Sequence, residues 1–211
     1  MDLWFEYDGC SFLDVSGSRD VVDECLAHDV YGLRDISEGD GLLDLGGLYG
    51  ECGIWASMRG IHVVGVEPTI ESWAVSEANC RINGIPPIYS LAAVALESGD
   101  IPHHVRKHHP GGSGFASDGV VLPRVVEAIA IRSLLDRLRA ENCKQIHVKM
   151  DVEGGELGLF SDLRWANGVS SVRMECHFEN TQDYVSSLRC CGFSSVRSSG
   201  NVPGAIIIAK R

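Results

Sequence analysis

Apolar positions along the chain change their period several times, and each change marks an element. Val22, Leu26 and Val30 recur at helical spacing, so 19–31 reads as an amphipathic helix within an N-terminal helical extension over 1–38. A short apolar run follows from Gly41 to Leu45, then a glycine-rich turn and a helical pattern through Met58. Ile61 to Val66 is β-branched and strand-like, and Glu67-Pro68 closes it. Thr69 can cap a helix running to about Arg81, which Asn83-Gly84 and Pro86-Pro87 stop. Ile88 to Val94 resumes an apolar, strand-like run.

The middle loses this regularity. Residues 103–119 (HHVRKHHPGGSGFASDG) are glycine-rich and polar, and read as a long lid loop with Ser113 and Phe115 as contacts. Val120 to Ile129 looks extended, with Pro123 marking an edge or interruption. Ile131 to Arg139 is helical, Ile146 to Met150 a strand, Gly155 to Leu163 a helix and Ser170 to Glu175 a strand. A helix near Asp183 to Cys190 leads to Phe193–Val196 and a final strand, Ala205–Ala209. Strands alternating with helices imply a doubly wound α/β sheet, mainly parallel, in one domain over 1–211. An antiparallel strand is expected at its C-terminal end.

Charge narrows the partners. With 18 Lys+Arg against 29 Asp+Glu the net charge is −11, which argues against a nucleic-acid substrate. Arg132, Arg137, Arg139 and Lys144 cluster in sequence, but at a spacing typical of a solvated helix face. No stretch reaches the roughly 20 apolar residues of a membrane span. The acidic start MDLWFEYDGC lacks the pattern of a secretory signal, so a cytoplasmic location is expected. Cys10, Cys25, Cys52, Cys80, Cys143 and Cys176 are scattered and Cys190 and Cys191 are adjacent, a pattern of free thiols rather than a disulfide framework. His103, His104, His108 and His109 lack zinc-type spacing, so no metal is expected.

Two stretches carry candidate chemistry. The first is Asp44 to Gly50 (DLGGLYG), between a strand and a helix, where Gly46, Gly47 and Gly50 permit a tight turn and close approach of a ligand. About 20 residues on, Glu67 at the next strand tip is placed to accept hydrogen bonds from both hydroxyls of a ribose. The turn reads G-G-x-x-G rather than G-x-G-x-x-G, and the Asp44 carboxylate would repel a pyrophosphate. It suits the ammonium and sulfonium of S-adenosylmethionine better than a nicotinamide dinucleotide. Ala92 and Ala93, near the third strand's end, are small enough to admit an adenine, or simply pack tightly.

The second stretch is Val148 to Glu156 (VKMDVEGGE). If extended, it places Lys149, Asp151 and Glu153 on one side of a strand's C-terminal tip, the end where open α/β sheets bind ligands. The following strand ends in VRMECHFE, bringing Glu175 and His177 to a neighbouring tip.

Taken together, DLGGLYG, GVEP, KMDVEGGE and MECH, in that order, resemble the FkbM family of methyltransferases over nearly the whole chain. One departure is that Leu48 stands where that family carries Asn. The resemblance implies a Rossmann-like class I methyltransferase fold, S-adenosylmethionine as methyl donor, and a hydroxyl on a sugar or other small molecule as acceptor. An alcohol needs a base as it attacks. Asp151 and His177 are the base candidates, with Lys149, Glu153 and Glu175 orienting or tuning them. A non-catalytic cofactor-binding module and an NAD-dependent oxidoreductase are the alternatives.

Overall fold

The computed structural model describes residues 3–106, 121–177, 181–200 and 204–211. The chain opens with a hairpin, β1 (Trp4–Tyr7) and β2 (Cys10–Leu13), paired antiparallel. The extension over 1–38 is therefore not purely helical. Asp8 and Gly9 both hold positive φ, the two-residue turn whose twist matches a hairpin. Phe12 and Cys10 turn inward, and Asp8 accepts a hydrogen bond from the Trp55 indole at 3.0 Å. The expected helix follows in two pieces: α1 (Ser18–Val22) widens into a π-helical turn over Asp23–Ala27.

Then come β3 (Gly41–Leu45), α2 (Glu51–Ser57), β4 (His62–Val66), α3 (Ile70–Ile82), β5 (Tyr89–Ser90) and β6 (Ala93–Ala95). The remainder is β7 (Gly99–Arg106), β8 (Val121–Ala130), α4 (Ile131–Ala140), β9 (Ile146–Met150), α5 (Glu156–Phe160), β10 (Ser171–Cys176), α6 (Thr181–Cys190), β11 (Ser195–Ser198) and β12 (Ala205–Lys210). Seven strands form the main sheet in the order β5-β4-β3-β9-β10-β12-β11. Neighbours from β5 to β10 run parallel, whereas β12 is antiparallel to both β10 and β11. Strand order reverses between β3 and β9, which makes their C-terminal ends the switch point where such sheets bind ligands.

Both faces of the sheet are covered, so β3 and β9 are buried at every position. Leu43 and Leu45 point into a core shared with α4 and α6, while Leu42 joins a second core with the N-terminal extension and α2. Below the sheet's opposite end, His147 is buried between Ser171 Oγ, 2.8 Å from Nδ1, and Asp40 Oδ2, 3.3 Å from Nε2.

Two expectations need correction. The apolar run from Ile88 to Val94 is not one strand: β5 pairs with β4, and the chain then leaves for a small sheet ordered β6-β8-β7. The lid expected over 103–119 begins with strand, because His103 to Arg106 complete β7 against β8. Residues 107–119 of that expectation, with Ser113 and Phe115, lie outside the described residues. Pro123 does lie at an edge, since β6 pairs with β8 only at Ala128–Ala130.

Candidate active site

The turn after β3 is shaped by the protein's own atoms. Gly46 has φ +79°, and a Cβ there would fall 1.7 Å from the Asp151 carbonyl oxygen. A Cβ on Gly47 would fall 2.0 Å from the Tyr89 ring. These two glycines thus admit Asp151 and Tyr89 against the turn. Asp44 is wholly buried beneath it, with Oδ2 accepting a 2.5 Å hydrogen bond from the Tyr89 hydroxyl and Oδ1 3.4 Å from Lys149 Nζ. Lys149 also donates to the Gly46 carbonyl at 2.7 Å. Burial pulls the lysine's pKa down, but Asp44 and Asp151 outweigh it and hold the ammonium charged.

Two sequence assignments gain a structural setting. Asp44 is paired with Lys149 and Tyr89 inside the protein, so it builds the turn. Lys149 is 1% exposed and joins the turn to β9, so it is a positioning residue.

Glu67 sits at the tip of β4 with each oxygen holding a backbone N–H. Thr69 donates to Oε1 at 2.7 Å and Leu48 to Oε2 at 2.9 Å. Leu48 adopts φ +46°, a left-handed conformation that Asn tolerates better than Leu. Burial raises the Glu67 carboxyl to about 7, against the pull of those N–H groups. Thr69 Oγ1 also meets His103 Nε2 at 3.2 Å, and burial takes His103 down to about 4. That histidine is a neutral buttress of the Glu67 loop.

Next to Glu67 in sequence, Pro68 lines a cleft of about 300 Å³ that Ile70, Leu91 and the Arg124–Glu127 segment of β8 complete. Ile70 and Leu91 are exposed to it, whereas Ala92 and Ala93 are buried behind. The sequence left these two alanines open between admitting an adenine and packing tightly, and both are buried.

At the tips of β9 and β10 four carboxylates surround one imidazole. His177 Nδ1 lies 2.6 Å from Glu156 Oε1, and Nε2 lies 3.5 Å from Glu153, 3.6 Å from Asp151 and 3.8 Å from Glu175. Burial depresses the His177 pKa, but the Glu156 hydrogen bond and the surrounding acids raise it to about 9. The resting imidazole is therefore a cation, which is the wrong form for the base expected from sequence. Asp151 Oδ2 accepts from the Tyr31 hydroxyl at 3.0 Å, while Oδ1 is buried without a hydrogen-bond partner. Burial and Asp151 lift Glu175 to about 7.

Asp151, Glu153, Glu175 and His177 thus converge, as the strand-tip argument expected, and Lys149 turns away from them. Tyr31, Tyr89 and Glu156 were not singled out as site residues. Glu156 stood within the quoted VKMDVEGGE stretch, but nothing local marks it as the partner of a histidine 21 residues on. Elsewhere, the arginines of α4 are engaged: Arg139 pairs with Asp136 at 2.7 Å and Arg132 approaches Asp162 at 3.9 Å.

No protein-family model and no curated protein sequence matches the chain. Solved structures do. A SAM-dependent methyltransferase from Agrobacterium tumefaciens superposes with TM-score 0.52 at 9% identity, covering 100% of this chain and 71% of that one. A tRNA (uracil-54, C5)-methyltransferase from Pyrococcus abyssi, in complex with S-adenosyl-L-homocysteine, gives 0.52 at 12% identity, covering 99% of this chain and 44% of that one. A precorrin-6y C5,15-methyltransferase from Geobacter metallireducens gives 0.50 at 10% identity, covering 87% and 86%. The fold is the Rossmann-like methyltransferase fold. Among the described residues, no helix is long and apolar enough to cross a membrane.

Proposed function

We propose that this chain is an S-adenosylmethionine-dependent methyltransferase acting on a hydroxyl of a small molecule or sugar. The observation that carries the reading is two groups at the C-terminal ends of the parallel strands: Glu67 after β4, next to Pro68 and the cleft it lines, and Asp151 with His177 after β9 and β10, on the other side of β3. The residues fit such a donor. Each Glu67 oxygen accepts one backbone N–H and keeps a lone pair for a ribose hydroxyl. Ile70 and Leu91 offer apolar walls to a flat base. S-adenosylmethionine, when bound, supplies a methyl group activated on a sulfonium.

The chain's own residues would do the rest. Asp151 takes the acceptor's proton, while Tyr31 fixes the carboxylate through Oδ2. His177, charged and held by Glu156, keeps Asp151 and Glu175 together against their mutual repulsion. Glu175, held near 7, is a second resting place for the proton. Oxygen as the methylated atom and a small acceptor rest on the FkbM resemblance and on the acidic charge.

The test is parallel calorimetric titration with S-adenosylmethionine, S-adenosylhomocysteine and NAD, then turnover on sugars and hydroxylated metabolites. Saturable binding of the first two and methylation of a hydroxyl are expected. Binding of NAD alone overturns the reading, and donor binding with no turnover on any acceptor class converts the protein to a non-catalytic binding module.

A further inference from the structure

A second cluster lies where α2 begins, directly after the glycine turn. Cys25, from the π-helical turn, meets Glu51 and Cys52, the first two residues of α2. All three are buried, and one donor atom from each lies within 4.8 Å of the others. Cys25 Sγ stands 3.8 Å from Glu51 Oε1. A tetrahedral zinc ion with bonds of about 2.3 Å to sulfur and 2.0 Å to oxygen spaces its ligands by roughly 3.5–3.8 Å. Cys25 Sγ and Glu51 Oε1 already hold that spacing.

A second observation points the same way. Glu51 is 2% exposed, yet its Oε2 is buried with no hydrogen-bond partner. A buried bare carboxylate oxygen is costly and calls for a ligand or a proton. We propose that Cys25, Glu51 and Cys52 form a site for one thiophilic divalent cation, zinc being the fitting example. Two sulfurs favour a borderline-soft ion over magnesium or calcium. The π-turn that carries Cys25 fits the idea, because such widened turns occur frequently at functional sites.

Charge is compatible with it. Two thiolates, one carboxylate and a divalent ion leave one net negative charge, and the Lys149 ammonium acts on all three donors. Binding displaces to solvent the two thiol protons and any proton on Glu51, whose carboxyl burial raises to about 7, so affinity rises with pH. The bound ion would fasten the N-terminal extension to the helix that follows the glycine turn. This site shares no ligand with the proposed methyl-transfer chemistry and does not depend on it.

The full chain, reduced and stripped with a chelator, is titrated with zinc against a chromogenic competitor and separately with cobalt(II). One zinc per chain is expected, with a cobalt spectrum showing thiolate charge transfer and the intense visible bands of a tetrahedral ion. Cys25→Ala and Cys52→Ala should each weaken zinc by at least ~100-fold, beyond the effect of removing an outer-shell partner. Glu51→Gln, which keeps the side-chain volume and so decides if the cysteine variants misfold, should weaken it about tenfold or more while cobalt–sulfur absorption persists. A Cys190→Ser/Cys191→Ser double variant should bind as the parent does. Loss of binding only in that surface variant, an octahedral cobalt spectrum, or a Cys25–Cys52 disulfide with no zinc uptake after reduction overturns the proposal.

Discussion

Lys149 lies opposite Asp44 in the β3–β9 register, and its ammonium reaches past that carboxylate to the Gly46 carbonyl. A buried pair of this kind is destabilising to break, because the remaining charge is stranded. Lys149→Met should cost about 3–5 kcal/mol in urea unfolding. Adding Asp44→Asn, which removes the stranded charge, should recover much of the loss. A single variant costing under roughly 1 kcal/mol would show that the pair does not hold the turn.

Gly46 tests the same turn sterically. Gly46→Ala combines a left-handed backbone with a Cβ 1.7 Å from the Asp151 carbonyl. The backbone alone costs about 1–2 kcal/mol, and the clash must add to it. We expect the variant to unfold at markedly lower urea, where Gly84→Ala, whose added Cβ meets nothing within 4 Å, shows only the backbone penalty. Equal midpoints for the two would contradict the packing described.

Glu67→Gln should leave the far-ultraviolet circular dichroism intact and weaken S-adenosylhomocysteine by about 10–100-fold, the scale of hydrogen bonds to a charged group. The amide must also present a donor to either Leu48 or Thr69, which loosens the turn. Unchanged affinity would remove Glu67 from the ribose.

The acid and imidazole at the other tip set a pH profile. Glu175 must ionise, near 7, and His177 must stay protonated, which it does up to about 9. Turnover should therefore rise through the first value and fall through the second. Glu175→Gln should remove the acid limb and His177→Gln the alkaline one. A profile that keeps both limbs in both variants would assign the titrations elsewhere.

His177 also links stability to pH. Its folded pKa, about 9, exceeds the ordinary histidine value of roughly 6.5. The contribution is thus fully present below the ordinary value and is lost as pH rises through 9. Denaturation midpoints should fall between those values in the parent and much less in His177→Gln. A parent midpoint flat across that window would show that the acids do not hold the proton.

Much of the architecture was legible in the chain. Alternating strand and helix patterns marked β3, β4, β9, β10 and β12, and the run of apolar residues in β3 announced a strand covered on both faces. The Asp8-Gly9 hairpin escaped because helical spacing further on drew the whole extension into one element. The break within Ile88–Val94 escaped because hydrophobicity does not say which sheet a strand joins.

The sequence by itself determined the doubly wound class, the glycine turn, and which strand tips carry acids. These follow from local periodicity and from residues no more than a few positions apart. Tertiary structure alone decided what each charge does. Lys149 and Asp151 are two residues apart, yet one is sealed under the turn and the other reaches Tyr31, from the far end of the chain. His177 becomes a cation only because Asp151, Glu153, Glu156 from the start of α5 and Glu175 close around it. Burial and neighbouring charge set a side chain's protonation, and both are properties of the packed chain rather than of the residue.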